Sequence, residues 1–395
     1  MSTRRTLLEL FDAALREPGG RRVVARKLHR WLDEIPRFSV FAIGKAASSM
    51  ALGALDELGV RVVELLVITK TGHADPALAK LPFVRIIESA HPVPDARSLA
   101  AGAELHRRLT NLGDDLFPLF LISGGSSALV EMVADGVTLD DLRTLNERGL
   151  AAGWDIARLN AERARFSRLK GGGIARLLAG RRASALFISD VPGDDTRVIG
   201  SGLLGPAPDG PDAVVRSVLA NASHASQGAA EAAAARGLDL ECRTERFAGE
   251  AVDVAARFVT ALRATPTDGL IWVGESTVQL PARAGRGGRN THLALAAARM
   301  LRADEKLSIL AAGTDGTDGP TEDAGAIVDG GTIERAELAG IDTEKAFREF
   351  DSGTALEASG DLVHTGPTGT NVGDILIGLR RSATPVRDAA RGHML

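Results

Sequence analysis

The chain has 395 residues, of which 45% are hydrophobic and 25% charged, with a formal net charge of −4. That length exceeds one ordinary domain, and the mildly acidic balance excludes a basic surface for nucleic acid or an anionic membrane. One cysteine, Cys242, excludes an intrachain disulfide framework and fits a reducing, cytoplasmic setting. Leu7, Leu8, Phe11 and Leu15 share a helical face, with Glu9 and Asp12 among them, so a packed helix is expected there and no signal peptide. Apolar runs over 40–43, 62–68, 83–87, 117–122 and 185–188 have strand character, and helical stretches such as 45–58 and 96–109 separate most of them. The alternation predicts a mostly parallel sheet covered on both faces. Thr138 and Asp141 read as a helix start, and that helix is predicted to run toward Leu169. Segment 203–211 is rich in proline and glycine and divides the chain into 1–212 and 213–395. A strand and a helix follow over 214–235, with further strands over 270–273, 307–311 and 375–377. No apolar run is long enough to span a bilayer.

Ligands of such sheets bind beyond the carboxyl ends of the strands, and the chemistry-bearing residues fall there. Ser123, Gly124, Gly125, Ser126 and Ser127 join a strand to a helical run. Small residues leave backbone N–H groups open to an anion, or simply allow a turn. Lys45 follows Gly44 at the end of the first strand, either as a point charge for a phosphoryl group or as a solvated lysine. Lys170-Gly171-Gly172 also reads as a glycine helix cap. Asp190, Asp194 and Asp195 stand just past a strand, as Mg²⁺ ligands or as an Asx-rich turn. Asp315 lies in a second glycine–aspartate run that lacks the EF-hand spacing. Arg286 and Arg289 stand among glycines, suited to grip a carboxylate or phosphate. His73, His91 and His292 show no metal-ligand spacing, and each reads as structural. The chain has no P-loop, no G-x-G-x-x-G after a strand and no G-x-S-x-G elbow. Together the motifs describe an anion site with Lys, Arg and Asp between two α/β domains, which suits phosphoryl transfer.

Taken in order, the motifs resemble the type-2 glycerate kinases over nearly the whole chain. The N-terminal matches are Gly44-Lys45-Ala46-Ala47 with Met50, Thr69-Lys70-Thr71-Gly72-His73, and His91-Pro92-Val93-Pro94-Asp95. They continue through Ser123-Gly124-Gly125-Ser126-Ser127-Ala128-Leu129, Lys170-Gly171-Gly172 and Ser189-Asp190-Val191-Pro192-Gly193-Asp194-Asp195. The second half resembles the family's C-terminal MOFRL domain through Gly285-Arg286-Gly287-Gly288-Arg289-Asn290, residues 311–320 with the run from Asp323 to Asp329, and Thr365-Gly366-Pro367-Thr368-Gly369-Thr370-Asn371-Val372.

The resemblance implies an N-terminal doubly wound, Rossmann-like sheet, a smaller C-terminal α/β domain with a mixed sheet, and an active site in the cleft between them. It implies ATP- and Mg²⁺-dependent phosphorylation of D-glycerate at the 2-hydroxyl. A kinase for another small hydroxy or sugar acid is an alternative, as is a non-catalytic metabolite-binding paralogue. The reductase name attached to some related genes requires a dinucleotide fingerprint that this chain lacks. The resemblance implies that Lys45 contacts the transferring phosphate, Arg289 holds substrate carboxylate or phosphate, and Ser123, Gly124, Gly125 and Ser126 cradle an anion. Asp190 and Asp194 are implied to position Mg²⁺ or activate the hydroxyl. Lys170, Ser201, Gly202, Glu275, Asn290, Asp315 and Asn371 complete the implied substrate and phosphate contacts. A homodimer is compatible with it.

The chain departs from the family at Leu203-Leu204, where Pro-Thr is usual, and at Thr291-His292, where Gln-Glu is usual. A helical segment usual after Pro208 is missing. These departures predict any difference from relatives in substrate choice, not in anion binding.

Overall fold

Strands built from continuous apolar runs bury both faces, and the first sheet is of this kind. The computed structural model describes residues 2–29, 35–152, 156–207, 210–281 and 283–380. Its first sheet contains β1 (Phe38–Ile43), β2 (Val62–Lys70), β3 (Val84–Ser89), β4 (Phe117–Ile122), β5 (Ala183–Ile188) and β6 (Val214–Ala220). The order is β3-β2-β1-β4-β5-β6, and every pair is parallel. Side chains alternate across it. Val40, Ala42, Leu119 and Leu121 face one apolar cluster. Phe41, Ile43, Phe120 and Ile122 face another, with Phe41 and Phe120 stacked at 5.1 Å.

The second sheet is mixed. It contains β7 (Leu240–Cys242), β8 (Gly269–Gly274), β9 (Leu307–Gly313), β10 (Gly325–Asp329), β11 (Leu362–Val363) and β12 (Asp374–Arg380), in the order β11-β10-β9-β12-β8-β7. Only the β7–β8 pair is parallel among the described pairings. Both predicted architectures are therefore present: a doubly wound parallel sheet and a second α/β unit on a mixed sheet.

Two expectations on organisation differ from what is observed. Strand β6 hydrogen-bonds to β5, so it completes the first sheet from beyond the division expected at 212/213. A division near residue 235, after the helix Ala222–Ala234, keeps that sheet whole. The single helix expected from Thr138 toward Leu169 is two helices, Leu139–Ala151 and Ile156–Phe166. Residues 153–155 between them lie outside the described residues. The second helix ends where Ala134 N–H bonds the Phe166 carbonyl and Arg168 N–H bonds Met132 O, so the chain turns back to pair with 132–134.

The N-terminal helix, Thr3–Arg16, ties the two units together. Leu7, Leu10, Phe11 and Ala14 are buried in the same apolar cluster as Val40 and Leu119 of the first sheet and Ile375 and Leu310 of the second. The link extends to the backbone: Gly20 N–H bonds Gly369 O at 2.9 Å, and Thr370 Oγ1 donates to Pro18 O at 2.9 Å. The apolar core is thus continuous across the domain junction, which fixes the cleft walls relative to each other. Among the described residues no helix is long and apolar enough to cross a membrane.

Candidate active site

In a doubly wound sheet the crevice opens where the strand order reverses direction. Here that point lies between β1 and β4, which are neighbours in the sheet but far apart in sequence. The segments leaving these two strands cross. Lys45 N–H donates to Gly124 O at 3.0 Å, and Ala46 N–H donates to Ser123 Oγ at 3.0 Å. Gly44 is at φ +133°, and a methyl group there would strike Ser123 Oγ at 2.1 Å, so this crossing needs glycine. The helix Ala47–Leu58 begins after Lys45, which places the lysine in the turn.

The second domain closes over this point. Lys45 Nζ lies 2.7 Å from Asp315 Oδ2. Asn371 Nδ2 donates to Asp190 Oδ2 at 2.9 Å, and Arg246 Nη2 donates to the Asp190 carbonyl at 2.8 Å. Gly124 fits only without a side chain, because a methyl group would sit 1.9 Å from both Asn371 Nδ2 and Asp190 Oδ2. Burial works against the Lys45 ammonium, but Asp315 and Asp190 outweigh it and raise its pKa. Burial also works against the Asp315 carboxylate, yet Lys45 holds it at about 2. Burial pushes Asp190 up, with Lys45 opposing. The result is one partly buried ammonium flanked by two carboxylates from opposite domains.

Arg289 opens the helix Arg289–Met300 and contributes to the field at Lys45. Its Nε and Nη2 grip Asp374 at 2.7 and 3.1 Å, and Nη1 bonds Glu275. The guanidinium and Glu275 therefore join the cluster as a protein-held pair. Asn290 sits deeper. Its N–H and that of Thr291 donate to Asp318 at 2.9 and 2.7 Å, so an internal carboxylate occupies the helix N-terminus. Burial raises Asp318 to about 6.

Several expected ligand residues face elsewhere. Lys170 pairs with Glu131 in the protein interior, and Glu131 also accepts from Ser167 Oγ. The charges acting on Lys170 are Glu131 and Arg163, with no member of the Lys45 cluster among them. Ser126 Oγ is buried beside Gly200 without a hydrogen-bond partner. Ser201, at φ +57°, shares a 2.7 Å hydrogen bond with Ser127 and donates to Asn160 at 3.0 Å. Gly171 N–H and Gly172 N–H bond the carbonyls of Ser201 and Gly202 at 3.0 and 2.7 Å. These residues brace the Ser123–Gly125 loop from behind. Asp194 accepts from Asn221 Nδ2, whereas Asp190 accepts from Asn371 Nδ2. No group of three or more His, Cys, Asp or Glu residues that could hold a metal ion occurs among the described residues.

The departures predicted to alter substrate choice serve packing instead. Leu203 and Leu204 are fully buried in the first domain's core, and Thr291 binds Asp318. His292 is stacked between Phe347 and Phe350, at ring distances of 4.7 and 4.1 Å. Burial holds its pKa down at about 4, with Arg299 contributing, and its Nδ1 has no partner. An unfolded histidine titrates near 6.5, so between these values the unfolded chain binds more protons and stability falls as pH drops. From pH 7 to pH 5 that loss is about 2 kcal/mol. His292→Phe is expected to remove this part of the pH dependence, as read by urea unfolding at both pH values. Equal slopes in variant and wild type would refute it.

Sequence reasoning missed Arg246, which no motif marks, and left Lys70 and His91 without a role. All three lie in or beside the cleft. The sequence signal available for Lys70 and His91 was their position just past strand ends.

The chain matches the model of the domain of unknown function DUF4147 over residues 6–235 and that of the MOFRL family over residues 269–374. It is 34% identical to the D-glycerate 2-kinase of Thermotoga maritima, covering 87% of this chain and 91% of that protein. It is 36% identical to a putative hydroxypyruvate reductase of Agrobacterium vitis, covering 86% and 98%. The crystal structure of Thermotoga maritima glycerate kinase superimposes with a TM-score of 0.81 and 31% identity, covering 95% of this chain and 99% of that one. With both domain models matched in order and the fold shared throughout, this chain belongs to the glycerate 2-kinase family, in which a DUF4147 domain precedes a MOFRL domain.

Proposed function

We propose that this protein transfers the γ-phosphoryl group of ATP to the 2-hydroxyl of D-glycerate, giving 2-phosphoglycerate and ADP. The observation that carries this reading is the Lys45 ammonium, held at the topological switch point between Asp315 and Asp190. A cation held in a cleft and largely shielded from water stabilises charge on a transferring phosphoryl group far more than it would in water. Asp190 is partly shielded from solvent and raised in pKa, which suits it to receive the hydroxyl proton. The hydroxyl oxygen then forms its bond to the γ-phosphorus as the bond to the ADP oxygen breaks. The cover that the second domain places over this point keeps water from competing as the acceptor.

The side chains present do not fit a protein-built magnesium cage. Asp190 is engaged by Asn371 and the field of Lys45, while Asp194 is turned to Asn221. The steps above accordingly use only residues of this chain. The reductase reading finds no support at β1, where Ile43-Gly44-Lys45-Ala46-Ala47 lacks the glycine fingerprint and places an ion-paired lysine in the turn.

Coupled ADP-release assays with ATP and D-glycerate are expected to show turnover that depends on both. The same protein is expected not to oxidise NADH or NADPH with hydroxypyruvate. ADP release with another small hydroxy acid but not with D-glycerate would replace the substrate. Hydride transfer without ADP release would overturn the kinase reading.

A further inference from the structure

Arg289 was the expected carboxylate clamp, but its fork already holds Asp374 and Glu275. The cleft offers a second cation whose charge is not matched in this way. Lys70 ends β2 and is half-buried, and Nζ donates to Thr317 Oγ1 of the second domain at 3.2 Å. No carboxylate lies within ion-pair distance of it among the described residues. His91 follows the end of β3 and has no hydrogen-bond partner among the described residues. Gly125, at φ +84°, leaves open the space beside both Lys45 and His91. A methyl group there would lie 3.1 Å from Lys45 Cγ and 3.4 Å from His91 Nε2. The carboxyl ends of four neighbouring strands, β3-β2-β1-β4, thus supply His91, Lys70, Lys45 and Gly125 to one crevice.

We propose that Lys70 and His91 form the acceptor subsite of the cleft, Lys70 binding the carboxylate of a small hydroxycarboxylic acid and His91 a hydroxyl of the same molecule. This rests on the kinase reading and names the residues that select its acceptor. The arrangement divides the labour: Lys45 serves the transferring phosphoryl group, and Lys70 the acid. An ammonium bonded only to a neutral hydroxyl can exchange that bond for a carboxylate at little cost. His91 is held neutral, its pKa lowered to about 3 by burial, then by Lys45 and Lys70, with His73 adding to this and Asp315 opposing. A neutral imidazole can bond a hydroxyl without cancelling the lysine charges, which a carboxylate at this position would do. Thr317 Oγ1 also donates to Asp315, the partner of Lys45, at 3.2 Å, so the acid and phosphoryl sides share one hydrogen-bond chain.

The test is calorimetry on the full chain with D-glycerate, glycerol, 3-hydroxypropanoate and a non-hydrolysable ATP analogue. Lys70→Met is expected to weaken D-glycerate binding at least about tenfold, as for loss of a charged hydrogen bond, and to change analogue binding less than about threefold. Lys70→Arg is expected to recover part of the loss. His91→Ala is expected to weaken D-glycerate more than 3-hydroxypropanoate, which lacks the 2-hydroxyl, and His91→Gln to restore part of the difference. Thermal melts confirm that each variant is folded. Weakened analogue binding with intact glycerate binding would move Lys70 to the nucleotide side and overturn the proposal. So would unchanged binding of both. Should the wild type bind and phosphorylate a different hydroxy acid, the glycerate reading fails, and the same variants test the subsite with that acid. Wild-type protein that binds no hydroxycarboxylate would sink both.

Discussion

Lys45→Met is expected to lower kcat at least about a hundredfold with D-glycerate and ATP, equivalent to roughly 2.7 kcal/mol of transition-state stabilisation. The size follows from where the ammonium sits. It is partly buried at the domain junction, 2.7 Å from Asp315, with Asp190 also in its field. Methionine keeps most of the stem and removes only the charge. Asp315 and Asp190 then face the cleft without their cation, so an entering triphosphate meets net repulsion as well as losing its partner. A stability effect accompanies this. Asp315 is held at about 2 in the native protein, against an ordinary value of 3.8. A depressed carboxylate stabilises the fold at pH values above its unfolded pKa, and that contribution is lost as pH falls toward the native pKa. The variant is therefore expected to be less stable at neutral pH and to show a flatter acid limb between pH 4 and pH 2. Steady-state ADP release, normalised to the folded fraction from a thermal melt, separates the two effects. Activity within threefold of wild type would remove Lys45 from the chemistry.

The opposite pattern is expected at Lys170. Lys170→Met is predicted to cost about 3–5 kcal/mol of stability, because it leaves the Glu131 carboxylate buried without its counter-charge. Both partners are inside the protein, with side-chain exposures of 2% and 0%. Among the described residues Glu131 keeps Ser167 Oγ and the Met132 N–H as donors, with the Arg163 charge also in its field. The double variant Lys170→Met/Glu131→Leu is expected to recover most of the loss, since no charge is then stranded. Folded Lys170→Met is expected to retain kcat within about threefold, because the proposed chemistry uses the Lys45 cluster and not this pair. Urea unfolding and ADP release on the same samples decide it. A large loss of kcat with unchanged stability would return Lys170 to the ligand site.

Those two lysines are told apart by the fold and not by the sequence. Each stands beside glycine, past an apolar or helical segment, and in sequence they look alike. Lys45 leaves a central strand at the point where the sheet order reverses, and a carboxylate from the other domain meets it. Lys170 is matched by Glu131, a residue with no motif around it. The same applies to the arginines and to Asp194. Residue type and spacing marked Arg289 and Asp194 as ligands, but Asp374 and Asn221, neither of them distinctive in sequence, and the expected ligand Glu275 accept or supply their hydrogen bonds. The departures at Leu203 and His292 looked functional in a linear comparison. Their side chains point into cores, where fit to neighbouring leucines and phenylalanines decides the residue.

By itself, the sequence determined the alternation of apolar runs with amphipathic helices, and hence a doubly wound sheet with its ligand residues at the strand ends. It also carried the glycines at positions 44 and 124, where a side chain would block the crossing of two loops. These are local consequences of side-chain size and periodicity, which any reading of the chain can recover. The tertiary structure alone decided which charges meet. Asp315 reaches Lys45, Asn371 reaches Asp190, and Thr317 reaches Lys70 only because a continuous core under the N-terminal helix fixes the second sheet against the first. Electrostatic partnership falls off over a few ångströms, so it depends on packing between segments hundreds of residues apart and leaves no periodic trace in the chain.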